Sequence, residues 1–215
     1  MHVLLAITGA TLLVAVALFP IVNPLGSSLI FLGLTGSYTH AVRASLARRV
    51  SVNSFLLLLA SMLIGGRVLD FFGVSLPVVE VGGGLVVMAM GWNMLQQSDS
   101  DPQRADLGAD ASQQAFYPLT LPITIGPGSI SVAVALGANN HLQRYPWLAQ
   151  LLAAFLGPLI IAISILICYR SADRLEKLLG KTGLSVFIRL SAFIVLCIGI
   201  QILWNGISAL VHVHH

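Results

Sequence analysis

Charge is what this sequence has least of. Only 9% of its 215 residues are Asp, Glu, Lys or Arg, where a soluble domain carries roughly 25%. So few charges cannot cover a water-facing surface, which excludes an ordinary soluble domain and points to a polytopic membrane protein. Cysteine is nearly missing too: Cys168 and Cys197 both lie in apolar runs without metal-ligand spacing, and they read as reduced packing residues. No His-Glu-x-x-His, paired aspartate or nucleophile–base pair falls inside those runs, so no catalytic residue and no metal site are expected and the chain does not read as an enzyme. Gly82-Gly83-Gly84 is not a phosphate loop, since no Lys-Ser/Thr follows it. No charged leader precedes the first apolar run, so no removable signal peptide is expected. The net charge of +3 is spread over short loops, which serves topology rather than nucleic-acid binding.

Apolar residues are what is there instead, 57% of the chain. A spanning helix takes about 20 of them, and the runs 3–36, 50–66, 76–95, 116–136, 147–169 and 186–211 supply six spans. The single hydrophilic stretch holds Asp99, Asp101, Arg104, Asp106 and Asp110. It divides the chain into a three-helix repeat (1–96), an acidic cytoplasmic linker (97–115) and a second three-helix repeat (116–215). With six spans, Arg43, Arg48, Arg49, Arg104, Arg170, Arg174, Lys177 and Lys181 fall on one side, and only Arg67 and Arg144 on the other. Lys/Arg-rich loops stay in the cytoplasm, so both termini are expected outside a bacterial inner membrane.

Two look-alike breaks interrupt the first and fourth runs. One reads Pro20-Ile21-Val22-Asn23-Pro24-Leu25-Gly26-Ser27, the other Pro122-Ile123-Thr124-Ile125-Gly126-Pro127-Gly128-Ser129. Pro24 and Pro127 stand 103 residues apart, Gly73 and Gly180 107, and Gly91 and Gly199 108. Three spans per half is an odd number, so the halves must enter the membrane from opposite sides. The expected fold is all-α, six helices in a 3+3 inverted repeat, with helices one and four broken. Whether helix one is kinked or re-entrant stays open at this stage. Glu80 and Arg189 begin spans three and six, hence near opposite faces, and no salt bridge between them is expected.

Prolines remove backbone donors, and in hydrocarbon such a break is tolerated only inside protein or beside a water-filled cavity. Paired breaks in corresponding places of two halves point to a transporter's binding site. The helix starts after each break offer free amides to a carboxylate, and the unwound carbonyls suit an ammonium or a cation. Asn23, Pro24, Gly26, Ser27, Thr124, Gly126, Pro127, Gly128 and Ser129 are therefore the candidate substrate-binding residues. Asn93 and Gln201, at repeat-related positions, are candidates for the pathway. No cofactor is expected; a coupling cation, proton or sodium, would be held by carbonyl and hydroxyl oxygens. Gly65-Gly66 and Gly82-Gly83-Gly84 permit close helix packing, and small-residue faces of this kind are compatible with a homo-oligomer.

Phe19-Pro20-Ile21-Val22-Asn23-Pro24-Leu25-Gly26-Ser27 together with Pro122-Ile123-Thr124-Ile125-Gly126-Pro127-Gly128-Ser129 resembles the MarC family of bacterial inner-membrane proteins, over essentially the whole chain. The resemblance implies a six-helix inner-membrane protein akin to LysE-type exporters, some members being described as transporters of neutral amino acids such as alanine and glycine. It carries over onto Asn23, Pro24, Gly26, Ser27, Gly126, Pro127, Gly128 and Ser129. The expected function is alternating-access transport of small neutral amino acids, with the lipid bilayer and a small solute as partners and no nucleic acid. The alternative is a channel or exporter for another small polar solute or ion.

Overall fold

The computed structural model describes residues 2–36, 38–96, 115–138 and 145–213, all of them helix or short connection with no strand. The acidic linker, apart from Ala115, lies outside these residues. The helices are α1 (His2–Val22), α2 (Pro24–Thr35), α3 (His40–Phe72), α4 (Leu76–Gln96), α5 (Ala115–Thr124), α6 (Pro127–Ala138), α7 (Trp147–Arg170) and α8 (Ala172–Val213). Five stretches are long and apolar enough to cross a membrane: Leu4–Thr35, His40–Phe72, Leu76–Gln96, Trp147–Arg170 and Arg189–Val211. A sixth forms if α5 and α6, bent by 72°, are taken together.

The helix boundaries follow from local chemistry. Asn23 sits in the left-handed region (φ 46°, ψ 63°), where Asn is tolerated better than most residues. Its Oδ1 accepts from the Gly26 amide at 3.1 Å, capping α2, and Pro24 takes the first helical position, where an N–H is not needed. The Thr39 hydroxyl caps α3. At the other end of α3, Gly73 turns left-handed (φ 66°), and its amide reaches back to the carbonyls of Leu69 and Asp70. Gly180, 107 residues on, also has positive φ (63°), and there α8 is interrupted before its apolar part begins. The run expected at 186–211 is thus the second segment of a longer element.

Chains this apolar gain little from burying one more leucine against its neighbours, since lipid is equally apolar. Close packing of small residues does the holding. α4 and α8 pack along most of their length, with glycines seven residues apart on each: Gly84 against Leu203, Gly91 against Leu196, Gly199 against Met88, Gly206 against Pro77 and Val81. These pairings run antiparallel and bring backbone against backbone. Gly65 and Gly66 of α3 meet Val134 and Ala138 of α6, and Gly137 meets the Met62 carbonyl. Gly83 and Gly84 are close contacts as expected, whereas Gly82 faces open space. α3 is also tied to α7 by the Ser51 hydroxyl donating to the Ala162 carbonyl at 2.6 Å.

Outside, the bundle is apolar. Leu12, Val16, Leu56, Leu151, Ile167 and Phe193 are all at least half exposed, as lipid-facing residues should be. Phe71, Phe72, Trp92, Tyr117, Trp147 and Trp204 are exposed aromatics close to helix ends, where spanning proteins favour Trp and Tyr. Cys168 is half-buried, but Cys197 is exposed and so is not the packing residue expected of it. The antiparallel register sets Glu80 beside residues 203–206 of α8. From there to Arg189 the helix runs about 24 Å at 1.5 Å per residue, so the two charges are too far apart to pair.

Candidate functional site

The two breaks come together. A cavity of about 520 Å³ is lined by Asn23, Gly26 and Ser27 from the first and by Pro122, Ile123, Gly126, Pro127 and Gly128 from the second, with Ile30 of α2 and Val86, Met90, Asn93 and Met94 of α4 closing it. Of the residues expected at the site, Asn23, Gly26, Ser27, Gly126, Pro127, Gly128 and Asn93 line this one space. Pro24 and Ser129 are buried but not on its wall. Gly26 and Gly128 leave it open at the cost of bulk. A Cβ on Gly26 would collide with the Asn23 amide and one on Gly128 with Val87.

Asn23, Ser27 and Asn93 supply the polar side chains among the lining residues. Asn23 is 8% exposed, and while its Oδ1 is taken by Gly26, its Nδ2 is buried without a hydrogen-bond partner. Leaving such a donor unmade is expensive in an apolar interior, and a ligand acceptor is what it lacks. The start of α6 differs from that of α2 in having Gly126 where α2 has the capping Asn23. No side chain closes that terminus, so the Gly128 and Ser129 amides, which have no intrahelical acceptor, remain for a ligand. The Gly126 and Asn23 carbonyls are both occupied, by the Ile130 amide (3.2 Å) and by the Ser27 amide and hydroxyl (3.0 and 2.9 Å).

Thr124 faces elsewhere. Its Oγ1 lies 2.6 Å from the Leu119 carbonyl and 2.6 Å from the Tyr169 hydroxyl. The single Thr124 hydroxyl proton goes to the carbonyl, which leaves Tyr169 as donor to Thr124. The Tyr169 ring stacks on Phe31 of α2, centroids 4.4 Å apart, and its hydroxyl lies close to Ser27 as well. One side chain of α7 thus ties both breaks together. A tyrosine at the end of an apolar run reads as an interfacial anchor, and nothing in the sequence marks this one as buried. Tyr169→Phe keeps the stack and removes the hydrogen bond. A loss of about 0.6–1 kcal/mol in unfolding free energy is expected, read by thermal unfolding in detergent.

A second cavity, about 440 Å³, lies across the breaks from the first. Pro20 and Ile21 of α1, Val132 and Leu136 of α6, and Ile198, Ile202 and Asn205 of α8 line it, with Glu80 of α4. Three of its lining residues stand at the sequence offsets noted above from residues of the first. Shifting Met90 and Met94 by 108 residues gives Ile198 and Ile202, and shifting Ile123 back by 103 gives Pro20. Gln201, 108 residues after Asn93, is exposed, its amide donating to Asn205 Oδ1 at 2.9 Å, and it is not among the residues lining either cavity. Asn205 takes the polar place that Gln201 was expected to hold.

Comparison with known proteins identifies the family. The profile of the family described as "MarC family integral membrane protein" matches residues 9–211. The inner membrane protein MarC of Salmonella typhimurium is 30% identical over 209 residues, covering 93% of this chain and 95% of that protein. The proteins of the same name from Citrobacter koseri and Escherichia coli are 31% identical over 212 residues and 30% over 211, with the same coverage. No solved structure matches. With a match of this extent, the chain belongs to the MarC family of integral membrane proteins.

Proposed function

We propose that the chain is a secondary transporter of small neutral amino acids such as alanine or glycine, with the first cavity as its binding site. The observation that carries this reading is the convergence of both breaks on one cavity in which the Asn23 amide and the start of α6 present unused donors. A carboxylate fits those donors. The wall carries no Asp, Glu, Lys or Arg, which favours a solute without net charge. Asn93, through its side-chain carbonyl, is the acceptor placed for an ammonium group.

The contact pattern supports a 3+3 inverted repeat. Exchanging the halves turns the α1–α7 contact into α5–α3, α2–α7 into α6–α3, and α2–α8 into α6–α4, and all six are present. On this reading α1–α2 and α5–α6 are the two broken spans, and the two cavities are one vestibule seen in each half. On the arginine bias of the sequence, the first cavity is expected toward the cytoplasm and both termini outside. The relatives' description as inner membrane proteins fits that membrane.

Counterflow in proteoliposomes tests the function. With unlabelled alanine or glycine inside and a trace of label outside, transient accumulation of label above that in empty liposomes is expected. Unsaturable flux without exchange would make the protein a channel. No flux, with folded protein confirmed, would remove these solutes.

A further inference from the structure

At the other end of α7 from Trp147, a hollow of about 280 Å³ is lined by Ala44, Ser45, Arg48, Arg49 and Arg170. Three guanidinium groups from two helices border it, and its wall holds no carboxylate. Next to it, Arg43 is neutralised by Asp173, Nη1 to Oδ1 at 2.7 Å. Arg48, Arg49 and Arg170 make no ion pair among the described residues. Three like charges around one hollow repel one another, and topology alone asks only that they be on this side, not that they converge.

Directly below lies a lipid-facing surface with the period of a helix. On α3, Ser45, Arg49, Val52 and Leu56 follow at spacings of four, three and four, all exposed. On α7, Arg170, Ile167, Ile163 and Ile160 follow at three, four and three, also all exposed. Residues at these spacings share one face. Each stripe begins at the hollow and continues as bare hydrocarbon into the membrane. A ligand matching both parts has an anionic head and apolar chains.

We infer that this hollow binds the phosphate group of an anionic phospholipid, with its acyl chains against Val52–Leu56 and Ile163–Ile167. Arginine is the residue suited to this, since its planar fork meets phosphate oxygens two at a time. The Ser45 hydroxyl adds a further donor. Basic pockets between spanning helices are places where anionic headgroups are held. The site is separate from both cavities, and the inference stands whether or not the protein carries amino acids.

The test is thermal unfolding of the purified full-length protein in neutral detergent, titrated with phosphatidylglycerol, phosphatidylcholine or inorganic phosphate. Phosphatidylglycerol is expected to raise the unfolding temperature of the wild type and of R174Q, which removes an arginine outside the hollow. In R48Q/R49Q and in R170Q the lipid concentration for half the effect should rise at least tenfold, and phosphatidylcholine should do little in any of them. Equal responses to phosphatidylglycerol in the wild type and both hollow variants would overturn the assignment. Protection by inorganic phosphate at the lipid's own concentrations, lost in the same variants, would keep an anion site and overturn the lipid as its source. If a glutamine variant does not fold, R170K serves. It keeps the charge and loses the fork, so a several-fold weaker response is expected, and an unchanged one overturns the assignment.

Discussion

Asn23→Gly is expected to abolish amino-acid flux while changing the unfolding free energy by less than about 1 kcal/mol. Three properties of Asn23 are separable by substitution. Its left-handed backbone (φ 46°) is one that glycine adopts without penalty. Its Oδ1 cap on the Gly26 amide at 3.1 Å is lost, which for Asn→Gly at such a position costs only a few tenths of a kcal/mol. The third property, the unpartnered Nδ2 in the cavity wall, is lost completely. Asn23→Ala removes the same amide but also forces a Cβ into the left-handed region, so it should be less stable by about 1–2 kcal/mol more. The pair separates folding from function. Flux lost equally in both, with near-wild-type stability only in the glycine variant, is the expected result of uptake assays run beside thermal unfolding. Full flux in Asn23→Gly would take the amide out of the site.

The second large effect is structural. Gly199→Leu should destabilise the bundle by at least about 3 kcal/mol, toward the upper range for overpacking. A Cβ at this position meets the Met88 amide nitrogen, with the Met88 Cα at 2.7 Å and the Val87 carbonyl carbon at 2.9 Å. These are backbone atoms of a helix, which cannot rotate aside as a side chain can. Gly91 stands against Leu196 in the same way, so pushing the helices apart at one glycine disturbs the other. Gly82→Ala is the internal control. A Cβ there meets nothing within 4 Å, and alanine is the better helix former by about 1 kcal/mol, so the variant should be as stable as the wild type or more so. Thermal unfolding by a fluorescence or light-scattering signal, with size-exclusion profiles, reads both.

These two residues also mark how far the sequence could be read. The breaks were legible because proline and glycine act locally. Pro24 and Pro127 announce helix starts wherever the rest of the chain goes, and Gly73 and Gly180 announce turns. That Gly82-Gly83-Gly84 of α4 suits close packing was legible too. That Gly84, Gly91, Gly199 and Gly206 pack in one antiparallel seam was not, since it depends on which helix lies opposite. Tyr169 shows the same limit more sharply. Its neighbours Phe31, Ser27 and Thr124 come from distant parts of the chain, and at a span end it looks like any membrane-surface tyrosine. Thr124 was expected on the cavity wall because it sits in the motif, but motif membership does not fix which way a side chain turns. Gln201 fails in the same way. Its side chain is exposed, and Asn205, one turn on, accepts from its amide and lines the second cavity. The second cavity was invisible in the sequence altogether. A void arises from how four helices splay, which no local motif records.

If the chain works as proposed, one site between the breaks is reached alternately through the two cavities, and side-specific labelling decides whether it is. In a variant with Cys168 and Cys197 replaced, Met90→Cys reports on the first cavity and Ile198→Cys on the second. Both are probed with a membrane-impermeant maleimide applied from either side of oriented vesicles, with and without alanine. The M90C thiol should be labelled from the cytoplasmic side only and the I198C thiol from the opposite side only, and alanine should raise one rate while lowering the other. Labelling of both positions from the same side, or rates that alanine moves in the same direction, would contradict alternating access.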